Sequence, residues 1–263
     1  MSLLLTHGAA VNQAMNEGAT PLYFCSYSGH SEVVSMLLAA GAAVDQAANS
    51  GATPLYIACR FGHSEVASLL IAHGAAVNQT DSQGHSPLLV ACLYGQLACV
   101  QLLSSHGVSR NLPHGRSAEQ TAERNGHDEV VTWLITSRLW STPLHHLDII
   151  DTNRARALLR AGADIHASTA PEGPTAPTPL SLARSLHAEG NASDGTAAYL
   201  LLRAAKPWSE QTHELFPVAA RERAVALMLL GHRLSREERF SGQEVGFFDA
   251  WMRHVMSHAI CRV

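Results

Sequence analysis

The sequence is poor in charged and aromatic residues, and it contains no long apolar run. Of its 263 residues, 15% are charged and 6% are aromatic. No run of the roughly eighteen apolar residues that a membrane-spanning helix requires is present. The net charge of −4, from 18 basic and 22 acidic residues, gives no general attraction to nucleic acid or to an anionic membrane. We therefore expect neither nucleic acid nor a membrane as a partner.

Cysteine is also scarce, with five residues in the chain. Four of them occupy apolar slots of a repeated sequence described below: Cys25, Cys59, Cys92 and Cys99. A buried free cysteine behaves as a small apolar residue, so packing explains these positions better than redox or metal chemistry. Unpaired thiols persist in a reducing compartment, and we expect an intracellular, cytoplasmic protein.

Signatures of a catalytic or cofactor site are absent from the sequence. It has no phosphate-binding glycine loop and no nucleophile elbow, and its acidic residues are scattered rather than paired. We therefore expect no catalytic residue, no cofactor and no enzymatic activity. A metal- or thiol-dependent enzyme is retained as a hypothesis only because of the 16 histidines.

Two histidine pairs have spacings that invite a metal site. His145 and His146 are adjacent, and adjacent side chains on a helix point about 100° apart, which disfavours a shared metal ion. His254 and His258 are spaced as on one helix face, but they lack the glutamate of the His-Glu-x-x-His pattern. We expect no metal site.

The most prominent feature that the chain does contain is a repeat with a period of 33 residues. The hexapeptide Gly-Ala-Thr-Pro-Leu-Tyr at residues 18–23 returns at residues 51–56, and segments 18–50 and 51–83 share 19 of 33 residues. A third copy begins at Gly84. Such a period indicates a solenoid of stacked units. Its function is then expected on the surface that stacking creates, because no single repeat can enclose a pocket.

Each repeat encodes two helices and a turn, as the copy at residues 51–83 illustrates. Gly51 suits a turn, Thr53 is a good N-cap, and Pro54 is tolerated in the first turn of a helix. Ser64 caps a second helix, which ends at a glycine ten residues later. The spacing predicts that the apolar face of this second helix consists of Val66, Ala67, Leu69 and Leu70.

These residues closely resemble the ankyrin repeat. The family pattern of Gly-x-Thr-Pro-Leu-His, Ala-Ala, Gly-His, Val-Val, Leu-Leu and Gly-Ala-x-Val-Asn is met almost position by position. The departures are Tyr23, Tyr56 and Leu89 at the histidine of Thr-Pro-Leu-His, Asp45 at the hairpin asparagine, and Gln96 in the Gly-His turn. The resemblance implies an all-α ankyrin-repeat solenoid with hairpin loops and a helical C-terminal cap.

The repeats divide the chain into four parts. Residues 1–17 match the second half of a repeat, and residues 18–137 contain four copies. Residues 138–205 contain two divergent copies, which begin near Ser141 and Thr178 and are interrupted by a proline-rich insertion at residues 169–177. Because the chain starts inside a repeat, the start is either a truncation or an imperfect half-repeat cap.

The last part, residues 206–263, has lost the repeat pattern. One amphipathic helix is predicted from residue 221 to residue 234, and a second carries apolar residues from Val245 to Met256 at helical spacing. These helices either cap the last repeat, as solenoids require, or form a recruiting box. The second alternative resembles the boxes that follow ankyrin arrays in substrate receptors of ubiquitin ligases.

The resemblance also implies where a partner binds. In ankyrin arrays the hairpin tips and the exposed side of the first helices line a concave groove, which carries the variable positions of the family. In this chain several of these positions hold residue types that anchor protein interfaces. The predicted partner-binding residues are Tyr27, Asn49, Arg60, Phe61, His85, Leu93, Tyr94, Arg116, Arg124 and Asn125.

We therefore predict a monomeric, non-enzymatic scaffold that binds a protein or peptide in this groove. The alternative is a substrate-recruiting adaptor of a ubiquitin ligase. Phe61 and Tyr94 occupy corresponding positions one repeat apart, with Arg60 and Arg124 in the neighbouring column, which predicts one aromatic and cationic patch. The competing interpretation is that these rings pack against the next repeat and are half-buried.

Overall fold

The computed structural model describes residues 8–108, 110, 117–168, 176–206 and 212–235. Its regular structure consists of twelve α-helices and two short 3₁₀ turns, and these ranges contain no β-strand. The chain forms two compact units, Met1–Arg138 and Leu139–Val263. The all-α prediction is confirmed. Among the described helices, none has both the length and the apolar character needed to span a membrane.

The first unit contains four pairs of antiparallel helices, one pair for each predicted full repeat. Each first helix packs against its own second helix, and those of the first three repeats also pack against the first helix of the next repeat. The pairs are α1 Pro21–Ser28 with α2 Ser31–Ala39, α3 Pro54–Phe61 with α4 Ser64–Ala72, α5 Pro87–Leu93 with α6 Leu97–Ser105, and α7 Ala118–Arg124 with α8 Asp128–Thr136. This stacking is that of a repeat solenoid.

The first helices begin where the sequence places their caps. The side-chain oxygens of Thr20, Thr53 and Ser86 each accept a hydrogen bond from the backbone N–H three residues later, at 3.1 to 3.2 Å. In these three repeats a proline follows at the first helical position, where its missing N–H leaves no bond unmade. The predicted roles of Thr53 and Pro54 are confirmed.

The core of the first unit is a column of leucines between the helices. Leu22, Leu55 and Leu88 occupy the same slot of successive repeats and are at most 1% exposed. In α4, Val66, Ala67 and Leu70 are buried as predicted, whereas Leu69 is only half-buried. The assignment of Leu69 to the core is therefore corrected. It lies about 100° around the helix from the centre of the buried face.

Hydrogen bonds from equivalent positions join the successive repeats of this unit. Nε2 of His63 lies 3.0 Å from the carbonyl oxygen of Tyr27, and Nε2 of His127 lies 3.0 Å from that of Leu93. The amide of Gln96 makes the equivalent bond to the carbonyl of Arg60 at 3.3 Å. The Gly-His histidines are thus structural in these two turns, and glutamine performs the same task in the third copy.

The hairpin positions make a second series of bonds between repeats. Oδ1 of Asn12 accepts from the N–H of Ala43 at 2.8 Å, and Oδ1 of Asp45 accepts from the N–H of Ala76 at 3.0 Å. Both interactions need only an acceptor oxygen. This explains why aspartate replaces the usual asparagine at residue 45 without loss of the contact.

The second unit keeps parts of the repeat and loses others. Where the fifth copy was predicted to begin, the chain forms only a 3₁₀ turn, Pro143–His145. His145 is buried, and its Nε2 lies 3.1 Å from the carbonyl oxygen of Pro177, which supports a structural role. The remaining elements are α9 Thr152–Arg160, α10 Pro179–Ala188, α11 Ala197–Ala204, the 3₁₀ turn His213–Leu215 and α12 Val218–Ser235.

A separate apolar core holds the second unit together. Leu144, Leu159, Leu180 and Leu201 lie at its centre. The first predicted C-terminal helix corresponds to α12. The second, from Val245 to Met256, lies outside the described residues, as do His254 and His258. The division of the chain into four parts stays a prediction.

Candidate interaction groove

The ends of the first helices present a row of side chains from successive repeats. Tyr27, Arg60, Leu93 and Arg124 each lie two residues before the glycine that ends the helix or follows it. The carbonyls of the first three accept the bonds between repeats from His63, Gln96 and His127. These three residues therefore project from backbone positions that the stacking fixes.

Four side chains from three repeats meet at this row, and we call them the aromatic cluster: Tyr27, Arg60, Phe61 and Tyr94. The rings of Tyr27 and Phe61 pack edge to face with centroids 4.6 Å apart. The guanidinium of Arg60 lies 5.6 Å from the centroid of Phe61 and 5.1 Å from that of Tyr94. The predicted patch is thus present for Arg60, Phe61 and Tyr94.

The rings of the aromatic cluster are partly exposed. Tyr27 is 48% exposed, Phe61 41% and Tyr94 43%, while Leu93 beside them is 37% exposed. The ring of Tyr27 packs on Phe61 of the next repeat, so the competing interpretation, that these side chains are half-buried against a neighbouring repeat, describes their contacts. The exposed part of each ring is the surface available to a partner.

Two adjoining hollows lie between the aromatic cluster and the hairpin tips. One, of about 430 Å³, is lined by Tyr23, Phe24, Tyr27 and Asn49 among others. The other, of about 300 Å³, is lined by Tyr56, Arg60, Asp81, His85, Leu93 and Tyr94 among others. Tyr23 and Ser50 line both, so the hollows form one groove across the first three repeats.

A hydrogen-bond network around Asp81 forms the floor of the second hollow. Its carboxylate accepts from the backbone N–H of Gln83 at 2.9 Å and of His85 at 2.8 Å, and from the hydroxyl of Tyr56. Although burial raises the pKa of Asp81, these bonds outweigh it and lower the pKa below its usual value. Burial, followed by the charge of Asp81, raises the pKa of Tyr56 to about 12. Tyr56 therefore stays protonated and remains a donor.

Two of the predicted residues already have structural partners. Nδ1 of His85 lies 3.3 Å from Oδ2 of Asp81, so this side chain is tied to its own hairpin. Nδ2 of Asn49 donates to the carbonyl of Asn16 at 3.0 Å and joins two hairpin tips. Both side chains line the groove, but their polar groups already have hydrogen-bond partners within the fold.

The predicted residues of the fourth repeat stand apart from the aromatic cluster. Arg124 and Asn125 are both exposed, and Nδ2 of Asn125 donates to the carbonyl of Thr121 at 2.8 Å. In the described part of the chain, Arg124 contacts no aromatic ring. Arg116 lies outside the described residues.

Sequence reasoning missed three tyrosine and phenylalanine side chains of the groove. Tyr23 and Tyr56 were noted only as departures from the family histidine, yet both line the second hollow. Phe24 is 42% exposed and lines the first. Phe24 precedes Tyr27 by three residues, a spacing that places both on one helix face and was available from the sequence.

The described residues hold no group of three or more histidine, cysteine, aspartate or glutamate side chains arranged for a metal ion. Cys59, Cys92 and Cys99 are buried and Cys25 is half-buried. Burial raises the pKa of Cys25, and burial raises that of Cys92 to about 12. Cys25 and Cys92 are therefore poor nucleophiles, and the buried cysteines pack as small apolar residues.

Comparison with known proteins agrees with this geometry. No curated protein matches the chain in sequence. A family model described as ankyrin repeats matches in three copies, at residues 1–81, 41–114 and 73–143. Ankyrin repeats generally serve as protein–protein interaction modules and are typically not enzymes. Since the three matches together cover residues 1–143 of 263, more than half of its length, this chain belongs to the ankyrin-repeat family.

Proposed function

We propose that the chain is a non-enzymatic scaffold that binds a segment of a protein partner in the groove of its first unit. The observation that carries the proposal is the aromatic cluster, in which Arg60 bridges the rings of Phe61 and Tyr94 while all three rings remain more than 40% exposed. Tyrosine, tryptophan and arginine are the residues most often found to dominate binding energy at interfaces.

The preorganisation of the aromatic cluster favours a binding role. Association is weakened when mobile side chains must become ordered, and rigid anchors avoid part of that cost. Here the backbone carbonyls of Tyr27 and Arg60 accept hydrogen bonds from the next repeat, and the side chains of both residues already contact neighbouring rings. A partner therefore meets a surface whose shape is set before binding.

The groove has the form expected for an extended segment. Its two hollows adjoin along three repeats, and their walls combine apolar rings with hairpin backbone and polar side chains. Such a surface offers pockets for alternate side chains of a peptide and polar groups at its rim. Of the predicted residues, Leu93 lines the second hollow, whereas Arg124 and Asn125 of the fourth repeat do not line either hollow.

The proposal is tested by comparing the partners that variants of the full chain retain in cells. Proximity labelling with the wild type identifies candidates, and the affinity of each purified candidate is then measured for Phe61→Ala combined with Tyr94→Ala. We expect a loss of at least about 2 kcal/mol, roughly thirtyfold in affinity. Ile135→Ala is the matched control, because Ile135 is 52% exposed on α8 and outside the groove.

Urea unfolding of the same proteins separates binding from folding. The double variant removes mainly exposed ring surface, so we expect its free energy of unfolding to fall by no more than about 1 kcal/mol. A variant that is folded and binds every candidate with wild-type affinity would contradict the proposal. A large loss of stability would instead assign the cluster to the packing of the repeats.

A further inference from the structure

Arg60 is a cation within an apolar surface, and the described part of the chain supplies no counterion for it. Its guanidinium rests against the rings of Phe61 and Tyr94. Nε is buried and has no hydrogen-bond partner among the described residues. The same part of the chain places no carboxylate in an ion pair with Arg60.

The carboxylate that shares the second hollow with Arg60 is already occupied. Asp81 accepts hydrogen bonds from two backbone N–H groups and from Tyr56, and it lies beside the ring of His85. These donors belong to its own hairpin and to the helix beneath it. Asp81 therefore serves the fold, and the charge of Arg60 is left for a ligand.

We propose that the partner segment places an aspartate or glutamate side chain on Arg60, next to an apolar side chain that covers Tyr27 and Phe61. This inference rests on the proposed function and names the chemistry of the partner. The two rings hold the planar guanidinium in place, which leaves the N–H groups of its two Nη atoms as preorganised donors for a carboxylate. Contact with the rings also lowers the hydration of the cation and strengthens the pair.

An acidic peptide fits the groove better than other anions do. Nucleic acid is bound through several phosphate contacts at once, so a protein groove that binds it would need several cations. The two hollows are lined by one arginine, Arg60, and by two carboxylates, Glu17 and Asp81. A single carboxylate on an otherwise apolar segment matches this arrangement, since a denser anion would meet these acidic groups.

A charge-reversal selection tests the inference and does not require the partner to be identified first. A random peptide library displayed on phage is selected against the full chain and against its Arg60→Glu variant. We expect peptides from the wild type to share an aspartate or glutamate beside an apolar residue. Peptides from Arg60→Glu should carry lysine or arginine at that position instead. Arg184→Glu is the control, because Arg184 is exposed on α10 in the second unit.

Synthetic peptides from the selection then give the size of the effect. Replacing the shared acid by lysine should weaken binding to the wild type at least about tenfold, and Arg60→Glu should recover much of that loss. Arg60→Lys keeps the charge but loses the planar fork, so we expect an intermediate affinity. Circular dichroism verifies that each variant is folded, and Arg60→Gln replaces Arg60→Glu if the latter is not.

The possible outcomes distinguish this inference from the proposed function. Peptides that depend on Phe61 and Tyr94 but show no acidic position, and bind Arg60→Glu or Arg60→Gln as well as the wild type, would overturn the inference and leave the groove intact. Selected peptides that bind independently of Phe61, Tyr94 and Arg60 would overturn both. The inference stands if the charge preference inverts with Arg60→Glu, or is lost with Arg60→Gln, and is unchanged with Arg184→Glu.

Discussion

The two units of the chain solve the same packing problem by different means. In the first, His63, Gln96 and His127 repeat one bond between neighbouring copies, and the hairpins repeat another. In the described residues of the second unit, contacts between individual side chains largely take the place of these repeated bonds. Among these, Glu214 lies 3.9 Å from Nε of Arg156 and 3.7 Å from Nη2 of Arg160.

This difference explains why the candidate groove belongs to the first unit. Regular bonds keep the first helices in register, so that neighbouring positions of successive repeats can touch, as the rings of Tyr27 and Phe61 do. In the described residues, the exposed large aromatic side chains all lie in the first unit. The large apolar side chains exposed in the second unit are aliphatic, and most lie on α12.

The largest loss of stability is expected from a substitution in the core of the first unit. Leu70→Ala removes a side chain that is 0% exposed, and we expect a loss of about 2–5 kcal/mol in the free energy of unfolding. Leu69→Ala, its half-buried neighbour, should cost clearly less. Urea unfolding of both variants checks the prediction, and equal losses would show that the two faces of α4 are buried alike.

The leucine pair also shows how far the sequence predicts this structure. The period, the caps and the Gly-His turns are local signals, and they predicted α3 with its capping residues correctly. The position of α4 was also predicted, but its cap was not: Ser64 is the first helical residue, the N-cap is His63 without a side-chain capping bond, and the C-cap is His73. Which of two adjacent leucines is buried depends on the direction from which the next repeat approaches. That direction is set by packing, which no local pattern encodes.

The fifth copy illustrates a different reason for failure. Its Thr-Pro-Leu-His opening shares Thr-Pro-Leu with the first helices of the first two repeats, yet only Pro143–His145 forms a turn. In the earlier repeats a glycine with positive φ ends the first helix, as Gly29 and Gly62 do, or follows its C-cap, as Gly95 and Gly126 do. No glycine lies between residues 143 and 151, so the chain cannot make the same turn there.

The sequence predicted the candidate site from equivalent positions of successive repeats and not from contacts between side chains. Family positions brought attention to Arg60, Phe61 and Tyr94, and the structure places them together. That Arg124 stands apart, and that His85 is held by Asp81, depends on side-chain directions and on neighbouring hairpins. Those follow from the three-dimensional arrangement of the repeats and from no single repeat sequence.

A glycine pair sharpens the comparison between the units. Gly51 and Gly190 both have φ of 79°, so alanine suffers the same left-handed strain at either, about 1–2 kcal/mol. At Gly51 an added Cβ would also lie 2.6 Å from the backbone nitrogen of Ser82, whereas Gly190 faces open space. We expect Gly51→Ala to destabilise the hairpins by at least about 1 kcal/mol more.

Amide hydrogen exchange of the full chain measures the two glycine variants helix by helix. Gly51→Ala should lower protection in α1, α3 and α5, while Gly190→Ala should affect α10 and α11. If the two variants lowered protection equally, the stacked hairpins would accommodate the added methyl group without loss of stability. The contact between the hairpin tips of the first unit would then contribute little to its stability.

The carboxylate of Asp81 makes the first unit sensitive to acid. Because its pKa is lowered in the folded protein, its charge stabilises the fold above the unfolded pKa of about 3.9. That contribution is lost as the pH falls through the lower folded pKa. We expect Asp81→Asn to cost about 1–2 kcal/mol at pH 7, and the difference from wild type to shrink below pH 4. Urea unfolding across this range checks it, and a difference independent of pH would assign the loss to shape alone.

The smallest effect is expected from the ion pairs of the second unit. Glu214 is 46% exposed in its side chain and its arginine partners are 31% and 43% exposed, so water and salt screen the pairs. Glu214→Gln keeps the backbone carbonyl that accepts from Nε of Arg160 at 3.0 Å. We therefore expect a loss below about 1 kcal/mol in the free energy of unfolding, visible as faster amide exchange in α9 and reduced by added salt.

Glu222→Gln on α12 is the control, since Glu222 is exposed and has no ion pair among the described residues. If Glu214→Gln destabilised the second unit as strongly as Leu70→Ala destabilises the first, ion pairs rather than its apolar core would hold this divergent unit together.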